Sequence, residues 1–460
     1  MLDEEKTSDA VTLPSHISDP FSLALYPEDY WSRAEDRKCF QTDESKVKIE
    51  CIDVDSEGQV LPHTITSFDQ LCDYSSKSST APGGLRIIAI PQVNSWRPLK
   101  VTSRMARRIV EITSASSEVL ELFLSFHQKI GELEKAYSSA PMFKSTDHTF
   151  EVGYIFKYAF PKTGPDGLAS WVVRQTGVYQ KYDRDTNHST WIFLHPSTDC
   201  PFQRRLREDL GSADQCAKFR QHPFLIHNML FSTYFPNWRA YLAHHQAQVL
   251  PMSPAGLADR VNDELEDNYR RLDFVRSIEY SCAPLQPIFQ SLTKTFNTLA
   301  RANDFLGDRD APAMRQLLDN YHSHVDAYSQ SALILQTQTA RAAQILSDAI
   351  SFKISMTAQA QTDYMLDLTV ATSDDAKTVR VITVVTLIYL PSTFMATLLG
   401  MNSFFEMDPE SHNVVVSPQF WIWVVCSVPL TLATVSYWWF FRWKRHQKAV
   451  KEQNLLIEGV

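Results

Sequence analysis

Glycine is scarce in this chain, 13 residues among 460 against about 7% in average usage, which points to long regular elements and few tight turns. No Cys-x-x-C pair occurs. The seven cysteines (Cys39, Cys51, Cys72, Cys200, Cys216, Cys282, Cys426) are scattered, and an odd count without a framework reads as free thiols in a reducing compartment. Basic residues are not in excess: the net charge is −9, so composition gives no reason to expect nucleic acid as a partner. A glycine-rich phosphate loop, a nucleophile elbow and a triad signature are all missing, so an enzyme is not expected. His244-His245, and His322 with His324, lack the spacing of a structural metal site. The first twenty residues hold no apolar run and carry Asp3, Glu4, Glu5 and Asp9. Neither a secretory signal nor an Arg-rich mitochondrial presequence is expected there.

Charge is missing from two long stretches near the end. Val381–Leu399 has 19 uncharged residues and Phe420–Phe441 has 22, each enough to cross a hydrocarbon core of about 30 Å as a helix. Trp421 and Trp423 stand at one edge of the second, and Tyr437, Trp438, Trp439 and Trp443 at the other, as an interfacial belt requires. The rival reading is two buried helices of a soluble core, which seldom run this long without a charge. Lys377 and Arg380 precede the first stretch, while Arg442, Lys444, Arg445, Lys448 and Lys451 follow the second. The loop between them, Met401–Gln419, has no Lys or Arg but holds Glu406, Asp408 and Glu410. The positive-inside rule then puts both termini in the cytosol and the acidic loop outside. The missing presequence favours the plasma membrane over the inner mitochondrial membrane.

Neither Gly nor Pro occurs from Ala313 to Leu390. Within that run Met314, Leu318, Tyr321, Val325, Tyr328, Ala332, Leu335, Thr339, Ala342, Leu346 and Ala349 follow a 4-3 alternation, which predicts a long stalk helix packed along a partner. The turn at Gly307–Pro312 ends an earlier helical stretch that begins after Pro254, and two antiparallel helices are the simplest reading. The first half reads as strands at Val47–Cys51, Leu85–Ile90, Glu151–Phe160, Ser170–Asp183 and Thr190–Leu194, with a hairpin across Asp183–Ser189 and helical periodicity over Ser103–Tyr137. The expected plan is a polar, loosely ordered tail (1–44), an α+β cytosolic domain (45–250), antiparallel helices with the stalk (254–380), a transmembrane hairpin (381–441, with spans 381–400 and 420–441) and a basic cytosolic tail (442–460).

The first span ends in Gly400-Met401-Asn402. A bare tripeptide is weak, but this one sits at the outer end of the first of two C-terminal spans, after a long stalk and before a short acidic loop. That arrangement resembles the CorA family of divalent-cation channels. Thr383–Leu399, with Pro391, is similar to the family's pore helix. The blocks Arg174-Gln175-Thr176-Gly177-Val178-Tyr179 and Trp191-Ile192-Phe193 are similar to divergent fungal members. There are departures: Leu399 replaces an aromatic residue before the glycine, Ser403 replaces phenylalanine, and Met407-Asp408-Pro409-Glu410 loosens the Met-Pro-Glu loop motif.

The resemblance implies a homo-pentamer in a lipid bilayer, with a ring of five Asn402 amides at the outer mouth, and Mg²⁺ as transported and regulatory ion rather than a cofactor. Hexahydrated magnesium gives up water reluctantly, so such amides would bind the hydrated ion. Gly400 would let the backbone turn beside Met401 and Asn402, and Glu406, Asp408 and Glu410 would concentrate cations. By spacing, Thr383, Thr386, Leu390, Thr393 and Thr397 share one face, read either as a pore lining with Leu390 as a hydrophobic constriction or as threonines bonding their own helix. Asp363, Asp367, Asp374 and Asp375 are candidates for regulatory metal binding by position, or else a solvated face. The alternative function is a membrane-anchored, non-conducting scaffold or sensor on the same fold, and the choice among Mg²⁺, Co²⁺, Ni²⁺ and Zn²⁺ is open.

Overall fold

The computed structural model describes residues 27–77, 82–129, 131–137, 139–163, 169–252, 265–307, 311–398, 405–407, 414–416 and 420–458. It divides into two units, Met1–Ile350 and Ser351–Val460. The first is built on a seven-stranded sheet of β1 (Ile49–Val54), β2 (Val60–Ile65), β3 (Leu85–Pro91), β4 (Met142–Ser145), β5 (Thr149–Thr163), β6 (Ala169–Asp183) and β7 (His188–His195), in the order β2-β1-β3-β7-β6-β5-β4. Neighbours are antiparallel except β3 with β7.

Period-2 alternation feeds two cores. Phe150, Val152, Tyr154, Phe156 and Tyr158 of β5, with Trp191 and Phe193 of β7, enter one; Ile155, Ile192 and Leu194 enter the other. Because both faces are covered, these strands read as nearly continuous apolar runs. Burying each large apolar side chain stabilises the fold by about 1.5–3 kcal/mol. The second face is covered by α1 (Pro27–Asp36), α2 (Phe68–Lys77), α3 (Ser103–Thr113) and α4 (Leu120–Leu124). Gly177 sits where a Cβ would come within 2.9 Å of the Phe126 ring and 3.2 Å of Leu194, so the Arg174–Tyr179 block needs glycine for close packing. The edge strand β2 tolerates Pro62 because an edge residue has no second partner to bond.

The first face is covered by α5 (Pro201–Leu210), α6 (Ala213–Gln221), α7 (Leu225–Tyr234), α8 (Asn237–Val249), α9 (Leu265–Cys282) and α10 (Leu285–Leu306), together with the start of α11 (Ala311–Leu398). Gly307, at φ +59°, closes α10 in the left-handed conformation that glycine adopts without strain. The chain then returns antiparallel. Asn303 donates to the Ala311 carbonyl (2.8 Å), Gln286 to that of Ser329 (2.8 Å) and Gln336 to that of Cys282 (2.7 Å). Along α11 the 4-3 seam is buried at Leu318, Val325, Ala332, Leu335, Thr339, Ala342 and Leu346. Its polar member is satisfied locally, the Thr339 hydroxyl donating to the Leu335 carbonyl at 2.7 Å.

Two expectations need correction, and a third is refined. Residues 1–44 are not a loose tail throughout: α1 lies inside it, because Trp31 and Ala34 bury against Phe40 and Phe123. The helical stretch after Pro254 is two helices, α9 and α10, since Ala283-Pro284 interrupts the hydrogen-bond ladder. Helical periodicity over Ser103–Tyr137 resolves into α3, α4 and short 3₁₀ turns.

Two buried polar groups stand out in the sheet unit. The imidazole of His227 bridges Tyr154 (Nδ1, 2.7 Å) and the Gln180 carboxamide oxygen (Nε2, 2.8 Å). Since Gln180 spends its amide on Ser189 and Pro223, its oxygen accepts from Nε2–H, and Nδ1 accepts the tyrosine hydroxyl. Burial pulls the imidazole pKa down to about 3, so the ring stays neutral. Lys157 on β5 is 2% exposed, and its ammonium donates to the carbonyls of Lys135 (2.6 Å) and Tyr137.

Candidate functional site in the two-helix hairpin

The unit Ser351–Val460 holds the rest of α11, the short strands β8 (Phe405–Met407) and β9 (Val414–Val416), and α12 (Phe420–Glu458). The end of α11 and the first part of α12 are long and apolar enough to cross a membrane. Helix α12 continues through Arg442 and Lys444 to Glu458, so the basic residues after the second span prolong that helix.

Helix α11 runs through Pro391, which cannot donate to the Leu387 carbonyl, yet the helix is continuous to Leu398. Pro391 is buried, and one residue on the Ser392 carbonyl accepts from the Trp423 indole of α12 at 3.2 Å. That bond ties the two spans together beside the proline. Val384, Leu387, Ser392 and Met395 are half-buried on the same side.

The opposite face of α11 is uncovered. Thr386, Leu390, Thr393 and Thr397 are exposed, Leu390 at 71%. Thr383 is exposed too, but it opens on a cleft between α11 and α12 and so departs from the other four. Each threonine hydroxyl donates to its own helix: Thr383 to Val379 (2.7 Å), Thr386 to Ile382 (3.0 Å), Thr393 to Tyr389 (2.6 Å) and Thr397 to Thr393 (2.8 Å). The two sequence readings are therefore compatible. A hydroxyl whose proton is spent on the helix still offers lone pairs outward, where a hydrated cation's water can donate.

Gly400, Met401, Asn402, Asp408 and Glu410 lie outside the described residues. Glu406 stands on β8, opposite Val415 of β9 in an antiparallel pair. The four stalk aspartates are exposed. Asp363, Asp367 and Asp374 fall on one face by their spacing of four and seven, and Asp374 pairs with Lys377 at 2.7 Å. Among the described residues no group of three or more acidic, histidine or cysteine side chains is arranged to hold a metal ion. Sequence reasoning missed the cleft that Thr383 borders. Its polar members, Arg380 and Arg442, were visible as flanking charges, but their meeting depends on how the two helices pack.

Comparison with known proteins adds a family. A model described as CorA-like Mg²⁺ transporter protein matches residues 256–445, and one described as CorA-like transporters matches residues 8–251. No curated protein matches the chain. Among solved structures, the chain is similar to the full-length CmaX protein, at 12% identity, covering 88% of this chain and 100% of that one, with a TM-score of 0.42. It is similar to the CorA magnesium transporter from Methanocaldococcus jannaschii at 14% identity, covering 84% and 96%, with a TM-score of 0.26. It is similar to the ZntB cytoplasmic domain from Vibrio parahaemolyticus at 11% identity, covering 67% and 99%, with a TM-score of 0.38.

Proposed function

The chain belongs to the family of CorA-like Mg²⁺ transporters, and from that premise we propose that it is a channel passing hydrated divalent cations, Mg²⁺ first, along the open face of its first span. The observation that carries this reading is the asymmetry of α11 within its own hairpin. One side packs on α12, while Thr386, Thr393 and Thr397 with Leu390 are left bare on the other. A span that only anchored would gain nothing from a stripe of hydroxyls on its uncovered side. One two-span chain cannot enclose a path, so several copies are required, and the family implies five around one axis.

In this arrangement Gly400-Met401-Asn402 closes the outer end of the pore. The Asn402 carboxamide oxygens accept hydrogen bonds from the ion's water shell, which avoids the cost of stripping magnesium. The acidic loop with Glu406, Asp408 and Glu410 raises the local cation concentration. Leu390 sets a hydrophobic constriction at mid-span. The sheet unit and both termini lie in the cytosol, where the stalk aspartates Asp363, Asp367, Asp374 and Asp375 sense magnesium between neighbouring subunits. The chemistry is transport without catalysis.

The test is Mg²⁺ entry into liposomes bearing the purified chain, reported by a trapped dye, for wild type beside Asn402→Ala. Uptake by wild type that falls to background in an Asn402→Ala protein of unchanged oligomeric size is the expected result. A correctly assembled wild type that passes none of Mg²⁺, Co²⁺, Ni²⁺ or Zn²⁺ would instead make the chain a non-conducting scaffold or sensor, a role its Leu399 and loosened Met407–Glu410 motif leave room for.

A further inference from the structure

At the end of the hairpin away from Leu398, α11 and α12 part around a cleft of about 860 Å³. Arg380 enters it from α11 and Arg442 from α12, while Leu387, Tyr437, Trp438 and Phe441 form its apolar wall. Arg380 immediately precedes the uncharged span and Arg442 immediately follows the second one, so both guanidiniums stand at the depth of lipid phosphates. The Arg442 guanidinium lies 5.3 Å from the Trp438 ring, a stacking that orients its planar fork. Neither arginine has an ion-pair partner among the described residues, whereas nearby Lys377 is already held by Asp374.

Two unpaired guanidiniums above an apolar wall, at a membrane boundary, match one kind of guest. We propose that this cleft binds the headgroup phosphate of an acidic phospholipid from the inner leaflet, with an acyl chain lying along Leu387 and Phe441. Guanidinium forks donate bidentately to phosphate oxygens, and the apolar wall supplies the contact that a free anion cannot use. A zwitterionic lipid brings an ammonium that cancels most of this attraction. The proposal rests on the hairpin crossing a bilayer, not on conduction. Failure of that premise would appear separately, as a full chain that stays soluble without detergent.

The experiment is native mass spectrometry of the delipidated, detergent-solubilised full chain, titrated with phosphatidylglycerol or phosphatidylcholine. The expected result is that wild type retains phosphatidylglycerol over phosphatidylcholine and that Arg380→Gln/Arg442→Gln weakens retention at least about 30-fold, through the loss of two direct guanidinium–phosphate contacts. The control Lys377→Gln/Lys444→Gln removes the same charge outside the cleft and is expected to stay within about twofold, a change too small to represent a lost contact. Equal loss in the control would overturn the proposal in favour of diffuse attraction. Equal retention of the two lipids by wild type would overturn it whether or not the double variant folds. Displacement of phosphatidylglycerol by millimolar inorganic phosphate would overturn the lipid as the occupant and leave a plain anion site.

Discussion

Lys157 brings a positive charge into the packed side of the sheet, and among the described side chains no acidic group pairs with it. Burial, with a smaller push from Lys129, lowers its pKa from the ordinary 10.5 to about 7. The carbonyls of Lys135 and Tyr137 receive its protons, so the residue pins the 3₁₀ turn Glu132–Ala136 against β5. The sign of the linkage follows directly. Below pH 7 both folded and unfolded chains carry the charge, and the folded chain bears the full cost of burying it. Between about pH 7 and 10.5 the folded chain sheds the proton while the unfolded chain keeps it, so stability rises with pH, by at most about 1.4 kcal/mol per unit from this group. Lys157→Met leaves the Lys135 and Tyr137 carbonyls without this donor, which costs about 0.5–1.5 kcal/mol per lost bond at any pH. The informative quantity is therefore the slope. Denaturation midpoints at pH 7 and pH 9 are expected to rise in wild type and to stay level in Lys157→Met, and parallel slopes would remove Lys157 from the account. Nothing in the sequence marks this lysine among the apolar residues of β5, because its burial is set by a turn twenty residues earlier.

Among the elements, α11 carries the sharpest functional consequence, since one residue on its open face breaks the polar stripe. Leu390 sits between Thr386 and Thr393 at 71% exposure, within a face that otherwise offers hydroxyls. If it narrows the path by dewetting, Leu390→Ser is expected to raise resting Mg²⁺ flux several-fold in the liposome assay. The control Val384→Ser, half-buried on the side that faces α12, is expected to leave flux near wild type. Equal effects at both positions would mean that the open face is not the pore. The place of Thr383 beside the cleft was hidden, but the 3-4 spacing of threonines inside an uncharged run was legible in the sequence as a local signal. So were the stalk seam and the β5–β7 strands, whose periods repeat over enough residues to stand out. Helices α5 to α8 were not legible. Helix α7, Leu225–Tyr234, buries Ile226, His227, Met229, Leu230, Phe231 and Tyr234, and a helix apolar nearly all round shows no 3.6 period. The strand order was equally hidden, because β3 pairs with β7 across a hundred intervening residues and no local pattern encodes that pairing.

For the whole molecule, the decisive stretch is the one that α11 leaves uncovered between its seam and the membrane. From Ser351 to Arg380 the helix advances about 45 Å at 1.5 Å per residue. Over that length Phe352, Ile354, Met356, Tyr364, Met365, Leu366, Leu368 and Val370 are all exposed. A helix cannot keep that much apolar surface in water alone, and its own propensity is too weak to hold it. We propose other copies of the same chain as the cover, which the pore proposed above, built from one span per subunit, also demands. The exposed apolar positions do not form one stripe, so a neighbour on each side fits better than a single partner. This yields a prediction with a geometric signature. Phe352, Ile354, Tyr364, Leu366 and Leu368 are changed to glutamate one at a time, and the mass of the detergent-solubilised particle is measured by light scattering. Substitutions buried between subunits are expected to dissociate the oligomer, because an unpaired carboxylate there loses its hydration without compensation. Those facing solvent are expected to leave it whole, so the sensitive positions should recur with helical spacing. If all five variants keep the wild-type mass, this stretch is not the subunit interface, and assembly must be sought in the sheet unit or within the bilayer.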